Sequence, residues 1–413
     1  MHYVLISDRT AISQNYERQD TILSLFVGFY FVFATVNSAT QMSNLLPLAV
    51  TRSLYFLLAA ILAIFLILSL PTVLKRKLFV FSLAELAAIL TYLFSISTNP
   101  TLTSHIFSRA FWTICICIPL GTCVQAIGDK RILYSILLKA SYIIAIFLTL
   151  LLFAPHNQTY MMAFSYSMLY PCLFTLNEFL ERRKTKHLIF SIYCIMTILL
   201  FGSRGALLCT AVFIAVRLLI SNRNPIKKFL YILIIVVVAF FIEQLLRLVM
   251  GYLTDMGLTS RSINLLQSDL TYVAGRTQIW EVASDMVRVR WMTGWGVVGE
   301  LNWLNSYPHS IFWEIMIDFG VIIGGVLLVV LIYPIVRMLK IRNSYSLALC
   351  LVFFSTSTRL LVSGTYLTCD AFFIFIFLAL SKEKGYNFSD RRIKEPSIPV
   401  AITVSTTSSV GLR

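Results

Sequence analysis

Apolar residues fall in long runs separated by short polar segments. The runs lie at roughly 22–38, 53–70, 78–97, 106–125, 132–153, 161–180, 187–202, 205–220, 229–247, 309–335, 344–362 and 368–381. A bilayer core takes about 20 apolar residues per helix. The pattern therefore predicts an all-α, polytopic integral membrane protein with about 12 transmembrane helices. The seventh and eighth runs meet at Gly202-Ser203-Arg204-Gly205, which predicts a tight hairpin.

The connecting segments alternate in character. Segments 1–20, 71–77, 126–131, 180–186, 221–228, 336–342 and 382–413 hold 23 Lys and Arg, whereas 39–52, 98–105, 154–160, 203–204, 248–308 and 363–367 hold six. Basic residues gather on the cytoplasmic side of short loops. Both termini are therefore expected in the cytoplasm, and the second set on the outer face of the membrane. No cleavable signal peptide is expected, because the first apolar run follows a polar stretch and lacks a small-residue cleavage pattern. Residues 1–413 read as one polytopic membrane domain. It carries one large outer loop, 248–308, and a cytoplasmic tail, 382–413, expected to be disordered.

Within the large loop, Gly275 to Trp291 reads as an amphipathic helix. Ile279, Val282, Met286 and Val289 recur at spacings of three and four, with Arg276, Glu281, Asp285 and Arg288 between them. Such a helix suits the membrane interface, as do Trp280, Trp291, Trp295 and Trp303. Gly294-Trp295-Gly296 ends it. Pro308 is expected at the start of the tenth span, where its missing N–H costs little.

Composition narrows the class. Of 413 residues, 58% are hydrophobic and 13% charged, which excludes a soluble enzyme and a disordered chain. The net charge of +15 is accounted for by the cytoplasmic segments, so it reports orientation and does not imply nucleic acid. The eight cysteines fall in or beside spans and read as small packing residues.

Candidate chemistry collects at the predicted outer face. Arg204 lies between two glycines at a hairpin tip, where a following helix N-terminus favours an anion; a snorkelling or salt-bridged Arg fits the same residues. His309 suits a general base at neutral pH, or an interfacial His at a helix start. Glu314 and Asp318 share one helix face and read as buried carboxylates paired with an Arg of another span. Glu85 reads as a proton site or a partner of Lys139. Gly320, Gly324 and Gly325 suit close helix contact. The sequence has no GxxxxGK[ST] loop, no HExxH pair and no paired CxxC. No cofactor or metal is expected, and an activated substrate would arrive carrying its own activation.

The order of motifs resembles a known family. Ser203-Arg204-Gly205 is followed by Gly275-Arg276-Thr277-Gln278-Ile279-Trp280, then Gly294-Trp295-Gly296, then Pro308-His309-Ser310, then Asp318-Phe319-Gly320 through Gly324. This is similar to the O-antigen ligase and Wzy-type polysaccharide polymerase superfamily of bacterial inner membranes. One departure is Ser310, where the family usually has Asn. The resemblance implies a metal-independent membrane glycosyltransferase whose donor is a glycan on undecaprenyl pyrophosphate. It implies that Arg204 and Arg276 hold the pyrophosphate and that His309 is the catalytic base or orients the acceptor. Arg288, Arg290, Arg359 and Asp318 are supporting candidates.

Within the family, the segment Met162-Ala163-Phe164-Ser165-Tyr166-Ser167 and the Ser-Arg-Gly hairpin favour a polymerase, with membrane lipid, a chain-length regulator and a flippase as partners. The O-antigen ligase reading shares the donor but takes lipid A–core as acceptor. A transporter or lipid-linked oligosaccharide flippase is the reading from another class; its inverted repeats and midplane ionisable sites fit poorly with one large outer loop.

Overall fold

A computed structural model describes residues 2–43, 48–152, 162–201, 203–221, 276–304 and 306–381, with residues 226, 233 and 251. The chain divides into Met1–Ser381 and Lys382–Arg413. The predicted tail, the ninth span (except residue 233), and much of the large loop lie outside the described residues.

The described residues form helices and no strand. In order these are α1 (His2–Ser43), α2 (Leu48–Thr98), α3 (Thr103–Trp112), α4 (Ile118–Ala126), α5 (Lys130–Leu152), α6 (Met162–Arg182), α7 (Thr185–Phe201), α8 (Arg204–Ser221), α9 (Arg276–Val289), α10 (Ile311–Val330), α11 (Ile332–Leu339), α12 (Ser344–Ser357) and α13 (Asp370–Ala379). Among the described residues, six segments are long and apolar enough to cross a membrane: Asn15–Asn37, Ile67–Thr98, Pro100–Ala126, Lys130–Leu150, Ile311–Leu339 and Ser344–Leu361. Thr185–Leu199, Gly205–Ile220 and Asp370–Ala379 are apolar but shorter.

Three expected boundaries differ. The predicted connection 71–77 narrows to Lys77 (φ −140°, ψ 24°), where α2 is two helices meeting at a kink. Residues 71–76 stay helical because neighbouring elements satisfy their polar groups. Arg76 reaches Asp20 at 2.5 Å, the Ala126 carbonyl at 2.9 Å and Gln19 at 3.0 Å. The fourth run is one rod in three pieces, α3, a π turn at Thr113–Cys117 and α4. Pro119 near the start of α4 has no N–H to give the preceding turn, and a π turn absorbs such a gap. The tenth run is broken at Gly320 (φ 73°, ψ 175°).

That break separates two environments. Before it, Glu314, Ile315, Ile317 and Asp318 are buried; after it, Val321, Ile322, Ile323, Val326, Val329 and Val330 are exposed, as a lipid-facing surface is. The main core is drawn from α1, α4, α5, α6, α7, α8, α12 and α13, and includes Phe31, Leu133, Phe174, Phe213 and Phe353. All eight cysteines are free and seven are buried.

Connecting segments of like character meet. Asp20, which pairs with Arg76, also accepts from the Gly128 and Asp129 N–H groups at 3.1 and 2.8 Å, joining three basic segments. At the other set, Asn99 donates to the Trp295 carbonyl at 2.5 Å and accepts from Asn302 at 2.7 Å. Val297 N–H donates to Ser95 at 2.9 Å.

Candidate active site

The large loop is anchored on α10 through main-chain bonds. Trp295 and Gly296 N–H groups donate to the Ile317 and Asp318 carbonyls at 2.7 and 3.0 Å, and Val321 N–H donates to the Trp291 carbonyl at 2.7 Å. The break at Gly320 exposes these α10 groups, which an unbroken helix would consume internally. Gly294 and Gly296 have φ of 67° and 78°. A Cβ on Gly294 would come within 2.4 Å of the Asp318 carbonyl oxygen, and one on Gly320 within 2.6 Å of the Met292 oxygen. The motif glycines thus build a backbone interlock, a different use from the helix contact expected of Gly320.

The interlock orients α9, whose Ala283 and Met286 are buried against Ile317, with Trp295 and Trp313 alongside. Of its apolar positions, Met286 is buried, Ile279 and Val282 are half-buried and Val289 is exposed. Trp295 turns inward and donates to the Met286 carbonyl at 2.9 Å. Trp280 also turns inward, donating to the Pro308 carbonyl at 3.1 Å. Trp291 and Trp303 are exposed.

Trp280 brings the start of α9 to the Pro308-His309 turn. Pro308 does not open the helix: α10 begins at Ile311 with Ser310 as extended N-cap. His309 itself is left-handed (φ 59°), a strained state for a non-glycine residue that clusters at functional sites. Its ring lies 4.3 Å from that of Tyr307, and its Nδ1 is buried without a partner. Burial first, and then the Arg276 charge, hold the imidazole pKa below its ordinary value. It is therefore neutral and able to accept a proton at neutral pH. Arg276, the first residue of α9, is half-buried and has no ion pair among the described residues.

The other candidates are placed as follows. Arg204 opens α8, and Ser203 before it is buried and accepts the Ala206 N–H at 3.4 Å; the Arg204 side chain lies outside what the structure describes. Arg288 stands in the last turn of α9, about 18 Å along the axis from Arg276, and pairs with Asp285 at 3.3 Å. Arg290 lies 4.1 Å over the Trp295 ring. Neither adjoins His309. Arg359 lies 5.2 Å over the Tyr166 ring and donates to Cys369 Sγ at 3.5 Å. Asp318 is fully buried and accepts the Tyr366 hydroxyl at 2.7 Å. Glu314 accepts from the Thr365 hydroxyl and, at 3.2 Å, from the Tyr366 N–H.

No described Arg pairs with either α10 carboxylate, so the expected inter-span ion pair is replaced by neutral donors. The segment 363–367 supplies them as the Thr365 and Tyr366 hydroxyls and the Tyr366 N–H, which is free because it opens the turn Tyr366–Thr368. Glu85 makes no pair with Lys139, and its Oε2 is buried without a partner. A third acid escaped the sequence reading. Glu300 is buried, and burial raises its carboxyl to about 7 against the pull of its own backbone N–H and Arg109. It lies within electrostatic reach of Glu314 and Asp318. Nothing local marks it; it becomes visible only when its turn, Gly299–Asn302, packs beside α2 and α10. Among the described residues, no group of three or more His, Cys, Asp or Glu side chains is arranged to hold a metal ion.

A helical membrane protein with a neutral His and an unpaired Arg joined on one loop is thereby defined. Residues 189–329 match the family model described as O-antigen ligase. The match spans the Ser203-Arg204-Gly205 hairpin, α9, the interlock and the His309 turn, and supports the resemblance of this third of the chain to the O-antigen ligase and Wzy-type polymerase superfamily. Members of that family transfer glycans. No curated protein matches the chain.

Proposed function

We propose that this chain is a polysaccharide polymerase of the bacterial inner membrane, joining undecaprenyl-pyrophosphate-linked repeat units at the periplasmic face. The observation that carries the reading is the meeting of Arg276 with a neutral, left-handed His309 inside the segment matching the O-antigen ligase model. The topology proposed with it has about 12 spans, both termini cytoplasmic and 248–308 outside. The clustering of like connecting segments supports it.

In the reaction, the acceptor hydroxyl oxygen attacks the anomeric carbon of the donor sugar, and its proton passes to His309. The bond from that carbon to the pyrophosphate oxygen breaks, and the pyrophosphate leaves with the electron pair. Negative charge grows on the leaving oxygen, so guanidinium groups fixed there stabilise the transition state more than the ground state. Arg276 and Arg204 are assigned that role. A single displacement inverts the sugar carbon. The lipid tail would occupy a groove between spans, and a flippase and a chain-length regulator are the expected partners. The ligase reading uses the same donor half-reaction and differs only in acceptor.

Arg204→Ala, Arg276→Ala and His309→Ala are expected to insert normally and to abolish long surface polysaccharide. Wild-type chain lengths from all three well-expressed variants would overturn the assignment.

A further inference from the structure

We propose that residues 362–366 brace the two halves of this site against each other, with Tyr166 and Thr365 as positioning residues. The inference rests on the glycan-transfer reading above. The brace runs between the turns Thr358–Leu361 and Tyr366–Thr368, outside the family match at 189–329.

At one end stands the turn that carries Arg204. The Tyr166 hydroxyl, from α6, lies within electrostatic reach of the Ser203 and Ser363 hydroxyls, and Ser363 itself donates to Met162 Sδ of α6 at 3.7 Å. Ser203 in turn caps α8 through the Ala206 N–H. Gly205 fits only because it has no Cβ: one would collide with the Tyr166 hydroxyl and meet Val362 Cγ2 at 3.6 Å. The other face of the Tyr166 ring is covered by Arg359, so the ring cannot retreat cheaply. At this end, α6, α8 and the brace pack around a single hydroxyl.

At the other end stands the turn that carries His309. Glu314 takes hydrogen bonds from the Thr365 hydroxyl and the Tyr366 N–H. Its own N–H donates to the Ser310 carbonyl at 3.0 Å, closing the first turn of α10 on the residue after His309. Thr365 also accepts the Leu367 N–H at 3.3 Å, which shapes the brace itself. Five residues reach at most about 17 Å. The brace therefore sets a fixed spacing between the phosphate-binding turn and the base-bearing turn. A reaction in which one group holds the leaving oxygen while another takes a proton depends on that spacing.

The test uses the full-length protein in nanodiscs, with the lipid-linked repeat unit extracted from a deletion strain as donor and acceptor. Tyr166→Phe removes one hydroxyl at the Arg204 end. It is expected to raise the donor KM about fivefold, the weight of one lost polar contact, with kcat within about twofold of wild type. Thr365→Val removes one hydroxyl at the His309 end. It is expected to lower kcat about tenfold or more with KM little changed, and Thr365→Ser is expected to restore it. Arg204→Ala and His309→Ala are measured alongside. If both abolish turnover but Tyr166→Phe and Thr365→Val match wild type, or lose activity only in proportion to folded protein, the brace is wrong and the reaction stands. If either control keeps wild-type turnover, the reaction and the brace both fall.

Discussion

Replacing Gly320 by Ala tests how the large loop is held. At φ 73° and ψ 175°, Gly320 occupies a region that is essentially closed to residues with a Cβ, at a cost of about 1–3 kcal/mol. The added methyl would also stand 2.6 Å from the Met292 carbonyl oxygen and 2.7 Å from that of Trp291. Both are backbone atoms, so no side chain can swing aside. Relief requires parting the interlock, whose three main-chain bonds contribute about 1 kcal/mol each. The expected loss is about 3–5 kcal/mol. Gly325, five residues on, is the control, because nothing lies within 4 Å of a Cβ there. Ala at that position favours the helix by about 1 kcal/mol. Thermal unfolding of the detergent-solubilised protein, followed by Trp fluorescence, reads both variants, since Trp291 and Trp295 lie at the junction. Gly320→Ala should melt well below wild type and Gly325→Ala at or above it. Coincident transitions for the two variants would refute the interlock.

Three further outcomes follow from the same geometry. Arg276→Gln removes a charge that lowers the His309 pKa, so the acid limb of the pH–rate profile should move to higher pH in whatever turnover remains; an unmoved limb would separate the two residues. Glu300→Gln bears on stability. The folded carboxyl titrates near 7 against 4.5 when unperturbed, so its contribution is full below pH 4.5 and is lost as pH rises through 7. The variant should therefore gain up to about 3 kcal/mol on wild type at pH 8 and little at pH 4.5, read as the difference in melting temperature at the two values. Arg288→Ala breaks only an exposed pair with Asp285, which is worth little; it should keep wild-type chain length, and a loss comparable to Arg276→Ala would bring Arg288 into the site.

The helical class, the hairpin at 202–205 and the amphipathic helix after Gly275 were legible because each rests on local periodicity and turn chemistry. The role of Gly320 was half legible. Its spacing from Gly324 suggested helix packing, but a positive φ depends on what docks there, and the dock comes from residues 291–296. The acidic pair was placed correctly on one face of α10, yet its partners were not foreseen. Thr365 and Tyr366 lie about fifty residues away in a segment with no charge to advertise it. Tyr166 and Glu300 were hidden for the same reason. An aromatic in an apolar run and an acid in a polar loop look ordinary until distant elements close around them. The break expected at 71–77 was drawn too wide because its polar residues suggested a loop, whereas Arg76, bonded to Asp20 and the Ala126 carbonyl, keeps the chain helical up to the kink at Lys77.

The most direct measurement is the glycan profile of a strain lacking this protein, resolved by gel electrophoresis alongside its carrier-lipid fraction. Single repeat units on lipid A–core, with long chains restored by the wild-type gene and not by His309→Ala, is the outcome that a periplasmic polymerase predicts. Long chains accumulating on the carrier lipid would assign the ligase reaction instead. Unaltered long surface polysaccharide would contradict the account at its centre.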